Sequence, residues 1–195
     1  MPLPATLPSF TSQLAAKLQS DTFSPVFTYP ITFTTEYTKF AQTATIYSID
    51  TPMVFNPGAM SSALQPLINN VTGNPQTAAQ YHGAAFAGFW AGAQWKQLSA
   101  MALPPLILST QWVTIASAMV MPPTVAAGKS IIESQLLPLY AEAFATNMPV
   151  PVFTARLCNI YMLATLALKV QLTGVAVNIA PLPPTIPYVS IVPVL

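Results

Sequence analysis

The sequence predicts a mainly α-helical bundle of about four to six helices, with a short N-terminal extended segment and proline-rich arms at both ends. Three observations lead there. Apolar residues recur at helical spacing over much of residues 58–174. Prolines cluster between those stretches, at Pro104-Pro105, Pro122-Pro123 and Pro149 with Pro151, where a helix cannot continue. The two ends, residues 1–8 and 175–195, are proline-rich and lack helical periodicity. The chain therefore divides into 1–57 (arm, short helix and extended segment), 58–174 (helical core) and 175–195 (C-terminal arm).

Residues 1–8 carry three prolines and read as an extended arm. A short helix follows at 8–18, with Phe10, Leu14, Ala15 and Leu18 on one face. The strongest strand signal is 27–37. Phe27, Tyr29, Ile31, Phe33 and Tyr37 alternate with Thr28, Thr32, Thr34 and Glu36, a period of two rich in aromatic and β-branched residues. Pro30 restricts such a strand to a sheet edge. From about 35 to 48 a helix is the preferred reading, because Tyr37, Phe40, Ala41, Ala44 and Tyr47 share a helical face. Residues 58–71 form a modest helix interrupted by Pro66.

The longest helix expected spans 74–102. Asn74 suits the cap and Pro75 the first turn. It has a stripe of small residues, Ala84, Gly88 and Gly92, beside a large one, Phe86, Phe89 and Trp90. A glycine in a helix interior costs roughly 1 kcal/mol, so Gly83, Gly88 and Gly92 call for a compensating close approach by a neighbour. These six stripe residues are the predicted packing or interface site. A second apolar segment runs over 106–121. Helices are then expected at 125–146, capped by Thr124 and kinked at Pro138, and at 154–173, stopped by Gly174. The tail, with five prolines and no charge, can form neither a helix nor a central strand. It suits a polyproline-like or edge-pairing arm that docks.

Charge is the abnormal quantity. Only 6% of residues are Asp, Glu, Lys or Arg, against roughly 25% in an ordinary soluble domain. Hydrophobic residues, at 53%, exceed the norm only slightly, so hydroxyl and amide side chains fill the gap. Uncharged polar groups suit surfaces that become covered, because removing them from water costs far less than removing an ion. The net charge of +1 comes from scattered Lys and Arg, which argues against nucleic acid. The N-terminus lacks the basic and apolar regions of a secretory signal.

No cofactor, metal or catalytic cluster is expected. Residues 126–130 (AAGKS) end like a phosphate loop, but Pro123 stands where that motif needs glycine. A Ser–His–Asp arrangement could in principle use His82 with an upstream acidic residue, but the sequence has no nucleophile elbow, and His82 reads as a hydrogen-bonded packed or interfacial side chain. Cys158 reads as a packed thiol. Glu133 and Glu142 lie nine apart, too far for a dyad, and Glu133 suits a pair with Lys129. The function expected is structural assembly: a virion component such as a minor capsid, cement or tail subunit, contacting copies of itself and other structural subunits. The alternative is a small multi-helix membrane protein, with spans at 103–121 and 160–177. An enzyme is not expected.

Overall fold

Proline opens most of the described helices of this chain. The computed structural model describes residues 3–20, 25–46, 52–69, 74–95, 111–178 and 185–195. Among them, α2 (Pro25–Ala41), α3 (Pro57–Leu64), α4 (Pro75–Trp90) and α5 (Pro122–Thr146) each begin on proline, and α6 (Val150–Leu166) follows Pro149. The missing N–H is harmless in a first turn, where it would have no helical partner. Two starts use the same Asn-Pro pair. The Asn56 side chain accepts from the Ala59 amide at 3.0 Å, and that of Asn74 accepts from Gln76 and Thr77 at 3.0 and 3.1 Å. Helix α1 (Leu3–Ser20) precedes them, and a 3-10 turn, Gln65–Asn69, extends α3 through Pro66.

The fold is mainly α, and a single antiparallel sheet is built into it. Its strands, β1 (Pro52–Val54), β2 (Gln94–Trp95), β3 (Gln111–Val120), β4 (Lys169–Asn178) and β5 (Thr185–Pro193), lie side by side in chain order. The α5–α6 hairpin joins β3 to β4. Ala118, Val120, Val170, Leu172, Val192 and Val194 face inward and join the same core as the helices. In that core Trp95 stacks on Trp90 at 5.9 Å between ring centres, and Phe89 meets Tyr37 at 5.0 Å.

Several elements differ from the sequence reading. The expected N-terminal arm is helical from Leu3, and runs through Pro8. The reason is a continuous apolar stripe, Leu3, Leu7, Phe10, Leu14 and Leu18, which packs on the core. The expected strand at 27–37 is helix α2. Its alternating aromatics are also four apart: Tyr29 stacks on Phe33 at 5.6 Å and Phe33 on Tyr37 at 6.1 Å. Ile31, which a strand would have buried with them, is 64% exposed. The threonines fit because Thr35 and Thr38 donate to the carbonyls of Ile31 and Thr34, one turn back.

Helix α4 stops at Trp90, not near residue 102. Gly92 takes a φ of +71°, turning the chain into β2. Helix α5 starts two residues before the expected cap, and the Thr124 hydroxyl donates to the Met121 carbonyl instead of capping. It continues through Pro138. The last helix ends at Leu166, and Gly174 lies within β4, not at a helix stop. From Lys169 the burial alternates, with Val170 and Leu172 in and Lys169 and Gln171 out, which is a strand's period. The segment at 106–121 is described only from Gln111, where it is strand. Neither stretch considered as a membrane span is therefore a helix along its length, and no described helix is long and apolar enough to cross a membrane. In the proline-rich C-terminal segment, residues 185–193 pair with β4 at the sheet edge. Beyond them Leu195 exchanges backbone hydrogen bonds with Thr45 at 2.9 and 3.0 Å.

Glycine marks where helices close most tightly. A Cβ on Gly128 of α5 would lie 2.4 Å from the Phe86 ring of α4 and 3.1 Å from the Ala164 carbonyl of α6. Gly128→Ala is expected to destabilise the protein by about 1–3 kcal/mol through overpacking. Gly58→Ala, whose new methyl meets nothing closer than 3.7 Å, is expected to be neutral or slightly stabilising. Urea unfolding of the two variants checks the contrast.

Candidate functional site: a buried histidine hub and an uncharged sheet face

His82 lies on α4 between Ala78 and Phe86, on the face that α4 turns to the core, and is fully buried. Three helices bring tyrosines to it. Tyr161 of α6 places its hydroxyl 2.8 Å from Nδ1; Tyr140 of α5 and Tyr29 of α2 place theirs 2.8 and 3.2 Å from Nε2. Donor counting assigns the protons. Tyr161 donates its O–H to the His82 carbonyl at 3.3 Å, so its oxygen is left to accept from Nδ1–H. Nε2 then carries the lone pair and accepts from Tyr140, whose oxygen in turn accepts from Tyr29. Each hydroxyl in this chain donates once, and one imidazole ties α4 to α2, α5 and α6.

Burial pushes the His82 pKa down to about 3, so the ring is neutral near pH 7. Burial pushes the Tyr29, Tyr140 and Tyr161 hydroxyls well above their usual range, and the Cys158 thiol up to about 12. Near neutrality the hub therefore holds no ionised group. Its oxygens and nitrogens satisfy one another in a dry interior, a geometry that fixes helix positions. A second chain runs parallel to it. Trp90 Nε1–H donates to the Tyr37 hydroxyl at 2.8 Å, Tyr37 donates to Thr165 at 2.8 Å, and Thr165 donates to the Tyr161 carbonyl at 2.7 Å.

The acidic residues stand elsewhere. Glu36 is buried and its Oε1 is held by Lys17 and Lys39. Burial disfavours its charge, but those hydrogen bonds outweigh burial and hold the carboxyl below the usual range. Glu133 pairs with Lys129 at 3.7 Å and Glu142 with Arg156 at 2.7 Å. Asp21 and Asp50 fall outside the described residues. Residues 126–130 sit in the first turns of α5, with Gly128 used for packing. Among the described residues no three His, Cys, Asp or Glu side chains converge as metal ligands.

Of the six predicted packing residues, Phe86, Phe89 and Trp90 are fully buried, and Gly88 faces α3, where a Cβ would lie 3.2 Å from that of Ala59. Ala84 is exposed, and Gly92 is exposed beyond the helix end with open space around it. The small stripe is thus not one contact surface. Gly83, packed under Glu133, and Gly128 make the closer approaches. Gly83 was visible as a costly glycine in the sequence; Gly128 had only a mismatched phosphate-loop pattern to mark it.

The outer face of the sheet is the second feature. Cross-strand register sets Met119, Gln171 and Ile191 in one row, and Ser117, Thr173 and Val189 in the next. Val175 pairs with Pro187 and Lys169 with Pro193 on the same side. Met119, Val175, Val189 and Ile191 are all exposed, Val189 to 60%. The Ser117 and Thr173 hydroxyls bond each other across strands at 2.7 Å. Lys169 is the face's sole charge among the described residues, and lies at its end. No family model matches the chain, and no curated protein or solved structure matches it either.

The hub makes stability pH-dependent in a defined window. The native ring stays neutral down to about pH 3, while an unfolded histidine takes up a proton below about 6.5. The unfolded state therefore binds more protons between these values, and stability falls as pH falls. At pH 5 the loss relative to pH 7.5 is expected to be about 2 kcal/mol. Glu36, with its lowered pKa, contributes stability above its unfolded value and loses it only at lower pH. Urea unfolding at pH 7.5 and 5.0 measures the loss, and His82→Gln should reduce it to a few tenths of a kcal/mol.

Proposed function

We propose that this chain is a structural assembly subunit that works with much of its surface covered by copies of itself and by other structural subunits. The observation that carries this reading is the outer face of β3–β4–β5, where Met119, Val175, Val189 and Ile191 are exposed around a mutually bonded hydroxyl pair. Exposed apolar side chains gathered on one sheet face suit a contact site. The charge distribution supports it. Of the eight charged residues described, Lys17, Glu36, Lys39, Lys129, Glu133, Glu142 and Arg156 are consumed in ion pairs within the chain. Lys169 is the one described charge outside these pairs. A minor capsid, cement or tail subunit of a virion is the instance we put forward, since obligate interfaces in such shells resemble a bisected core.

Multi-angle light scattering of the detergent-free protein tests the reading. The expected result is a species larger than the 20.8 kDa monomer, reduced in size by the double variant Met119→Lys, Val175→Lys with its thermal unfolding midpoint preserved. Both positions lie on inner strands, so the variant disturbs the face and not the edge. A wild-type protein that runs as a clean monomer, or a double variant that assembles unchanged, contradicts the proposal.

A further inference from the structure

The outer edge of β5 presents a separate problem, independent of the face. Val194 N–H donates to the Leu168 carbonyl at 3.2 Å, while Leu195 exchanges bonds with Thr45 on the opposite side. Residues 194 and 168 continue the β4–β5 register unbroken. Backbone groups alternate sides along a strand. Even-numbered residues of β5 therefore bond β4, and odd-numbered ones turn their N–H and C=O outward. Among the described residues no strand pairs with that outer side along 185–193.

An open strand edge is a template for adding strands. This one is uncharged and β-prone: TIPYVSIVP. Its central residues, Val189 to Val192, have the composition of a self-pairing segment. Two odd positions, however, are Pro187 and Pro193. Proline has no N–H to offer, and its ring occupies the space where an incoming carbonyl would sit. Because the two prolines are six residues apart, both fall on the outward side. Either one at an even position would have cost a bond to β4 instead. Between them only Val189 and Ile191 present outward N–H groups, too short a run to hold another strand.

We propose that Pro187 and Pro193 act as paired blocks that close the sheet edge to strand addition by a second copy of this chain. The fold can thus carry an apolar sheet face without growing edge-to-edge into fibres. Two measurements test this. In the double variant Pro187→Val, Pro193→Val, the edge regains two N–H groups. Compared with wild type at equal concentration, it should form larger species with a new intermolecular-sheet amide I band and thioflavin fluorescence, and the exposed-proline control Pro151→Ala should not. In the wild-type protein, hydrogen exchange by NMR should find the Val189 and Ile191 amides on the order of a hundredfold faster than those of Val192 and Val194. A folded double variant that matches wild type in size and amide I band overturns the proposal. So do Val189 and Ile191 amides as protected as their neighbours, a readout that decides the matter even if the variant fails to fold.

Discussion

One imidazole sets the position of four helices. Apolar packing holds α2, α4, α5 and α6 together, but it is non-directional and tolerates sliding. His82 removes that freedom, because both ring nitrogens and its own carbonyl meet tyrosine hydroxyls from the other three helices. A small slip of any helix would strand a buried donor or acceptor, at about 1–3 kcal/mol each. The arrangement works only with a neutral ring. A charge there would gain no ion pair from the described carboxylates, since Glu36, Glu133 and Glu142 are each paired with lysine or arginine. The Trp90–Tyr37–Thr165 chain repeats the same logic one layer away, and ends on the backbone of Tyr161, a member of the hub.

Around this junction seven of the eight described charged residues are paired with one another, Lys169 being the exception. Lys17 and Lys39 converge on Glu36 and join α1 to α2, and Arg156 with Glu142 joins α6 to α5. The sheet completes the fold on another side, with an inner face in the common core and an outer face of apolar and hydroxyl side chains. Prolines have two different effects in this plan. In first turns they begin helices, and on the odd positions of β5 they leave the ladder to β4 intact while denying its outer side a donor.

Local signals were legible where one physical cause acted alone. The Asn74-Pro75 start, the buried Phe86–Phe89–Trp90 stripe and the hydrogen-bonded packing of His82 follow from capping rules, periodicity and the lack of a partner acid. Where two periods coincided, the reading failed. Tyr29, Phe33 and Tyr37 satisfy both a strand and a helix, and only the exposure of Ile31 separates them. Strands β3 and β4 were hidden because short apolar runs look alike in either conformation, and the α6–β4 boundary has no proline to announce it. The three tyrosines of the hub lie 53, 58 and 79 residues from His82. No local pattern could have assembled them.

The four-helix junction depends most on the state of the chain's single histidine, which nitrogen-15 NMR of the imidazole reads directly. The expected result is a neutral Nδ1–H ring with a slowly exchanging proton, unchanged from pH 7.5 to about 4.5. An Nε2–H tautomer, or a titration near the ordinary value of about 6.5, would contradict it.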